Sequence, residues 1–252
     1  MNAIPLKYLN KIGGCSNMKV HGETVTVVVD AADSTVITKN HIAEFRSHLE
    51  YSNVKVVGVD CKLKTVFKSS QTSSPKKFVL VFYASNRCLI FHSVTDNYSE
   101  IFRIMEDPNI CFVGPTELLQ QLHNHGYYNT SVRNYFPWKS VLVSAGELAA
   151  RILNKPGLTT TALDDVAQEA GVWYDGPLTG TGTEIQVDPK NPMVLSEEML
   201  KYTINDAVAH YLIGGKLLDT IDDKFRLFGG KYFRIIFPFS LVVLVGEIFF
   251  FS

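Results

Sequence analysis

Short apolar runs dominate the first half of the chain, which is the pattern of strands buried in a sheet. Val54 to Asp60 has the sequence VKVVGVD between polar flanks, as expected of a central strand buried on both faces. Valine and threonine dominate the run from His21 to Asp30, which predicts another strand. Further strands are predicted at Phe78–Ala84, Cys88–His92 and Ile110–Gly114, with a hairpin loop at residues 85–87.

Helical spacing of apolar residues appears after the first strand and becomes dominant in the second half. Ile42, Phe45 and Leu49 predict a helix over about residues 38–50. The stretch from 171 to 194 is rich in Gly, Pro and Thr and predicts a long loop. Other helices are predicted at Tyr98–Met105, Glu117–His125, Ser144–Leu153, Thr161–Ala170 and from Ser196 to about Asp219.

The order of these elements predicts an α/β protein with a mixed sheet covered by helices. The 252 residues are 46% hydrophobic and 19% charged, which is enough apolar surface for one sizeable core. We therefore expect an N-terminal extension over residues 1–17, one domain over residues 18–223, and a hydrophobic C-terminal tail over residues 224–252.

The tail from Ile235 to Ser252 is almost wholly apolar and contains Glu247. Its uninterrupted apolar part is shorter than the roughly 20 residues that a spanning helix needs. This favours a helix packed on the domain, or an unordered end, over a membrane anchor. The N-terminus has no long apolar stretch, so we expect no secretory signal and an intracellular location, nuclear or cytoplasmic.

Charge and cysteine content exclude some classes of site. The formal net charge is −1, so any contact with nucleic acid must come from a local basic patch. The four cysteines form no CxxC pair, which argues against a zinc knuckle or a redox motif. We expect reduced thiols, with three of them buried in strands.

Three acidic positions and one tyrosine are candidates for chemistry. Asp60 is predicted at the end of a buried strand, where a carboxylate is costly unless a metal ion or another partner compensates it. Tyr202 and Asp206 are four residues apart and share one helical face, which Ala209 continues with an apolar residue. Glu117 is predicted at a helix start. The alternatives are a turn acid, a solvent-edge acid and an acid favoured by the helix dipole, respectively.

These segments, in this order, resemble the DEDDy-type 3′–5′ exonucleases, in particular the plant proteins like the Werner syndrome exonuclease domain. VVGVD followed by CLIF is similar to the first motif and the next strands of that family, and DPNICFVG is similar to its second-motif strand. The most specific match is LSEEMLKYTINDAVAHYLIGGKLL, at Leu195 to Leu218. It combines the Tyr-x-x-x-Asp motif with the flanking pattern of the family.

The resemblance implies a ribonuclease H-like, mixed five-stranded sheet flanked by helices. It also implies two Mg2+ or Mn2+ ions held by four carboxylates, and hydrolysis of DNA or RNA from the 3′ end. Asp60 matches the first acid, Asp206 the last acid, and Tyr202 the tyrosine that orients the water. Glu117 is the candidate substitute for the second-motif aspartate, because the segment after FVG is shortened.

Lys62 departs from the pattern, since it stands where the Asp-x-Glu motif has its glutamate. We hypothesise that Lys62 forms an ion pair where a metal would sit, which leaves the protein weak or inactive as a nuclease. The alternative is that Lys62 extends into solvent, as long lysine side chains readily do. Two functions follow: a 3′–5′ exonuclease-like protein with a degenerate site, or a catalytically dead module of the same fold that binds nucleic acid or a protein partner.

Overall fold

The computed structural model describes residues 14–30, 35–50, 54–66, 77–91, 104–105, 107–115, 142–173, 184–187 and 197–227. Within these residues, eight strands form one sheet with helices on both faces. The strands are β1 (Gly14–Val20), β2 (Glu23–Asp30), β3 (Val56–Val66), β4 (Lys77–Ala84), β5 (Arg87–Phe91), β6 (Cys111–Val113), β7 (Leu142–Val143) and β8 (Glu184–Val187). The helices are α1 (Thr35–Leu49), α2 (Ala145–Ile152), α3 (Leu163–Glu169) and α4 (Glu197–Leu227), with a 3-10 turn at Pro156–Thr160.

The sheet is mixed, with strand order β1-β2-β5-β4-β3-β6-β7 and with β8 paired to one end of β3. Strand β3 is antiparallel to β4 and parallel to β6, and β4 is antiparallel to β5. The five strands β5-β4-β3-β6-β7 form the mixed five-stranded unit that the ribonuclease H-like resemblance predicts. The predicted α/β class is therefore confirmed, although β1, β2 and β8 enlarge the sheet beyond five strands.

The added hairpin depends on a tight turn at His21 and Gly22, whose φ angles are 51° and 77°. Positive φ at both central positions gives a turn whose twist matches that of the two strands. Strand β1 then pairs with β2 over its whole length. The predicted strand at 21–30 consequently begins at Glu23, and the described sheet extends into residues 14–17, which the sequence analysis assigned to the N-terminal extension.

Two sequence predictions are wrong along β3. Asp60 does not end a strand, because β3 continues to Val66 through pairs with β4 and β8. The predicted loop at 171–194 contains β8, which pairs with the last part of β3. Lys62 and Lys64 make the second half of β3 resemble a polar flank, so the strand was predicted to end too early. Its partner β8 is distant in sequence, so no local pattern indicates that the two segments pair.

The two faces of β3 carry different helices, because successive side chains of a strand point to opposite sides. Val57, Val59 and Cys61 lie in one core with α1. On the other face, Val56 lies in a core with the C-terminal part of α4. Asp60 and Lys62 have the parity of Val56, so the sheet directs both charged side chains toward α4.

Strand β3 and helix α4 are in backbone contact at Gly58. A Cβ atom at this position would lie 1.8 Å from the carbonyl oxygen of Ala207 and 2.7 Å from the backbone nitrogen of Tyr211. Gly214 makes a second close approach, since a Cβ there would lie 2.7 Å from Cγ2 of Val113. These glycines let the helix lie directly on the sheet, and this close contact fixes the position of Asp206 relative to β3.

The remaining helices complete that layer. Ser144 caps α2 by accepting a hydrogen bond from the backbone N–H of Glu147 at 2.9 Å. Helices α2 and α3 then pack with α4 around a shared apolar core. Both lie close to their predicted positions, and α4 continues to Leu227, past the predicted domain end.

Several predictions fall partly or wholly outside the described residues. They include most of the helix at 98–105, the helix at 117–125, and the tail from residue 228 onward. Among the described helices, none is both long and apolar enough to cross a membrane. None of the four cysteines is paired in a disulfide, and Cys61, Cys88 and Cys111 are buried in strands, as predicted.

Candidate functional site

The predicted residues of β3 and α4 meet at one place between the sheet and the helix. Asp60 and Lys62 project from the same face of β3, two residues apart. Tyr202 and Asp206 lie one turn apart near the start of α4. The structure therefore brings together three of the four predicted site residues and adds Lys62.

The Lys62 ammonium lies between the two carboxylates. Its Nζ donates a hydrogen bond to Oδ2 of Asp206 at 2.5 Å and lies 3.2 Å from Oδ2 of Asp60. Lys62 is 5% exposed, Asp60 3% and Asp206 8%. The hypothesised ion pair of Lys62 is thus present, and the alternative of a solvent-exposed lysine is wrong.

The two contacts differ in quality. The bond to Asp206 is a short, charge-assisted hydrogen bond, which is the stronger kind. The contact with Asp60 is longer, and Oδ2 of Asp60 is buried and accepts no hydrogen bond of ordinary geometry from the described residues. Asp60 is therefore the less well compensated of the two acids.

Tyr202 contacts the lysine through its ring face. Nζ of Lys62 lies 4.8 Å from the centroid of the Tyr202 ring, within the range of a cation–π interaction. An ammonium group has three donors and no acceptor, so it suits two carboxylates and an aromatic face and cannot itself bind a metal ion. The tyrosine predicted to orient a water molecule thus contacts a cation that belongs to the chain.

Burial disfavours the ionised forms of Asp60, Asp206 and Lys62, and the opposite charges in this cluster favour them. Burial raises the pKa of Asp60 to about 6, although the Lys62 ammonium opposes the rise. Burial also raises the pKa of Asp206, again opposed by Lys62. Burial acts to lower the pKa of Lys62, but the Asp60 and Asp206 carboxylates outweigh it and raise that pKa above the ordinary lysine value. Lys62 therefore keeps its positive charge at physiological pH.

His210 and Asp164 are two members of this environment for which the sequence analysis assigned no role. Burial, followed by the charge of Lys62, lowers the pKa of His210 to about 4, so its buried imidazole is neutral. The negative charge of Asp164, at the start of α3, contributes to the raised pKa of Asp206. The spacing of four residues from Asp206 to His210 was the available signal for the histidine. Nothing in the sequence brings α3 near the site.

The described residues do not fit a divalent metal ion at this position. A metal ion between Asp60 and Asp206 would need the space that the Lys62 ammonium fills, and Mg2+ prefers oxygen ligands in near-octahedral geometry. No group of three His, Cys, Asp or Glu side chains in the described ranges is arranged to hold a metal. Glu117, the candidate for another acidic position, lies outside those ranges, so its role stays a prediction.

Comparisons with known proteins give weak likenesses. No protein-family model matches the chain, and no curated protein matches it. The chain is similar to the catalytic core of RRP6 from Trypanosoma brucei at 14% identity and a TM-score of 0.48, over 85% of this chain and 51% of that one. It therefore spans about half the length of the RRP6 structure.

Two further likenesses are to the EXD2 exonuclease domain, in structures soaked in manganese with dGMP and in manganese with magnesium. Both have 16% identity over 84% of this chain and 98% of that one, with TM-scores of 0.33 and 0.31. These comparisons do not assign the chain to a family.

Proposed function

We propose that this protein is a 3′–5′ exonuclease-like domain that binds nucleic acid and hydrolyses it weakly or not at all. The observation that carries the proposal is the Lys62 ammonium, buried between Asp60 and Asp206 at 3.2 and 2.5 Å. Asp60 and Asp206 match two of the family's four metal ligands, but each contacts a lysine of the same chain.

The lysine cannot leave its position at low cost. Releasing Lys62 to solvent would strand two buried carboxylates, and an uncompensated buried charge costs several kcal/mol, on the order of 3–5 kcal/mol when one partner is removed. Losing its proton is also disfavoured, because both carboxylates raise its pKa. A divalent ion would have to displace a tethered cation that is already paired, so we expect little metal-dependent hydrolysis.

The nucleic-acid part of the proposal is supported by the motif at residues 195–218. Its Tyr202 and Asp206 contact the same Lys62 ammonium as Asp60 does, which agrees with the resemblance to the exonucleases. A net charge of −1 supplies no general attraction for phosphates, so we expect modest affinity that comes from a local basic patch and falls with salt.

Two measurements on the full chain test this function. The first is fluorescence anisotropy with short labelled single strands of DNA and RNA, each with a free or a blocked 3′ end, at two salt concentrations. We expect salt-sensitive binding that favours the free 3′ end. No binding to any of these strands would refute the nucleic-acid role.

The second measurement follows strand length on a denaturing gel in the presence of manganese. We expect the strand to remain intact on the time scale of an ordinary nuclease reaction. Stepwise shortening at a rate typical of nucleases would show that the Lys62 ion pair does not block the site, and would overturn the proposal of weak or absent hydrolysis.

A further inference from the structure

Besides occupying the position of a metal ion, Lys62 contributes to the stability of the fold. We infer that the Lys62 ammonium is a built-in counter-cation that replaces a bound divalent ion as the positive charge joining β3 to α4. This role uses the site on which the proposed function rests, but it concerns stability and requires no nucleic acid to bind.

The two carboxylates come from different elements that are pressed together. Asp60 belongs to the sheet and Asp206 to the helix, and the backbones of β3 and α4 touch at Gly58. Neither acid can withdraw to solvent while that contact holds. While both acids are ionised, this packing therefore needs a cation between them, whatever its chemical nature.

The Lys62 ammonium supplies this cation and, unlike a free ion, is covalently attached to β3. Nζ of Lys62 contacts one oxygen of each carboxylate, and the ring of Tyr202 lies on a further side at 4.8 Å. Because the ammonium is attached to β3, it cannot dissociate and does not depend on metal concentration. The native fold should consequently gain no stability from divalent ions, since only a ligand that binds the folded state stabilises it.

Changing Lys62 to an acid should make the stability of the fold depend on a divalent metal ion. Lys62→Glu removes the cation and adds a third buried acid, so the variant should need an external cation to hold β3 and α4 together. In EDTA we expect its Tm to be lower than that of the unaltered chain by roughly 10 °C. Added manganese should raise the Tm in a concentration-dependent manner.

The experiment is thermal unfolding by circular dichroism, in EDTA and in rising manganese concentrations, without nucleic acid. The matched control is Lys216→Glu, which makes the same charge change at an exposed position of α4. We expect no manganese response from the unaltered chain or from this control. A saturable rise in the Tm of the unaltered chain would overturn the inference, because it would show that the native site is open to a metal.

Two other results would also overturn it: an unchanged Tm for Lys62→Glu in EDTA, or a lowered Tm that manganese does not raise.

If the glutamate variant fails to fold in EDTA but folds with manganese, the inference is supported. If it folds under neither condition, Lys62→Gln decides the matter, since it removes the cation without adding an acid. We expect a lower Tm for Lys62→Gln that manganese partly restores, and no restoration would refute the role. Nucleic-acid binding by the unaltered chain is measured separately, so failure here leaves that proposal standing.

Discussion

Replacing Lys62 with methionine should destabilise the fold strongly, because it leaves Asp60 and Asp206 buried without their cation. Methionine keeps most of the volume of the lysine stem, so the change removes charge more than packing. Removing one partner of a buried ion pair costs about 3–5 kcal/mol, and here two carboxylates lose the same partner. We therefore expect the free energy of unfolding to fall by at least about 3 kcal/mol at neutral pH.

The loss should shrink as the pH is lowered. Burial already raises the pKa of Asp60 to about 6, and removing Lys62 removes the charge that opposes this rise. An acid with a higher pKa in the folded state takes up its proton on folding at intermediate pH, so the variant regains stability as the pH falls. The difference between the two proteins should be smaller at pH 5 than at pH 8.

Urea unfolding followed by circular dichroism measures this difference, with Lys216→Met as the matched control at an exposed position of α4. The control should lie within about 0.5 kcal/mol of the unaltered chain, as surface substitutions usually do. Adding Asp60→Asn and Asp206→Asn to Lys62→Met should recover much of the loss, because no buried charge then remains. Equal losses for Lys62→Met and Lys216→Met would show that Asp60 and Asp206 do not depend on the Lys62 cation.

Three further outcomes are expected. Gly58→Ala should lower the free energy of unfolding by about 3 kcal/mol or more, because its Cβ would lie 1.8 Å from a carbonyl oxygen of α4. Gly215→Ala is the control and should be neutral or stabilising, because its Cβ would meet nothing within 4 Å. Urea titrations that rank the two variants otherwise would contradict the close contact at Gly58. Between pH 6.5 and about pH 4 the unfolded chain protonates His210 and the folded chain does not, so His210 by itself lowers stability by up to about 3 kcal/mol on acidification, opposite in sign to the contribution of Asp60. His210→Gln should remove this contribution in pH-dependent unfolding. A thiol-specific reagent should modify Cys15 in the native chain and the three buried cysteines only on unfolding; rapid reaction of more than one thiol would disagree with the buried strands.

The strands and the helical motif of the site could be predicted from the sequence because local patterns carry them. Apolar runs mark β4 and β5, and the turn at Ser85 and Asn86 joins them with positive φ at both residues. The spacing of Tyr202 and Asp206 identifies one helical face. The lysine at position 62, where the motif has a glutamate, was sufficient to predict an ion pair, because a cation near buried acids is stabilised by pairing with a carboxylate.

Other features depend on contacts between distant segments, which no local pattern records. The length of β3 follows from pairing with β8, more than a hundred residues later, so Asp60 was wrongly predicted to end its strand. The burial of His210 follows from the close contact of α4 with the sheet at Gly58. The approach of Asp164 to Asp206 follows from the packing of α3 against α4.

A lysine, rather than a metal ion, lies between Asp60 and Asp206. A crystal of the unaltered protein soaked in manganese chloride tests it directly through anomalous difference density. We predict no manganese peak within about 2.0–2.6 Å of either carboxylate, the range of divalent-ion coordination, and density for the Lys62 amine between them. A manganese peak bridging Asp60 and Asp206, with Lys62 turned away, would show that a metal ion and not the lysine joins the two carboxylates.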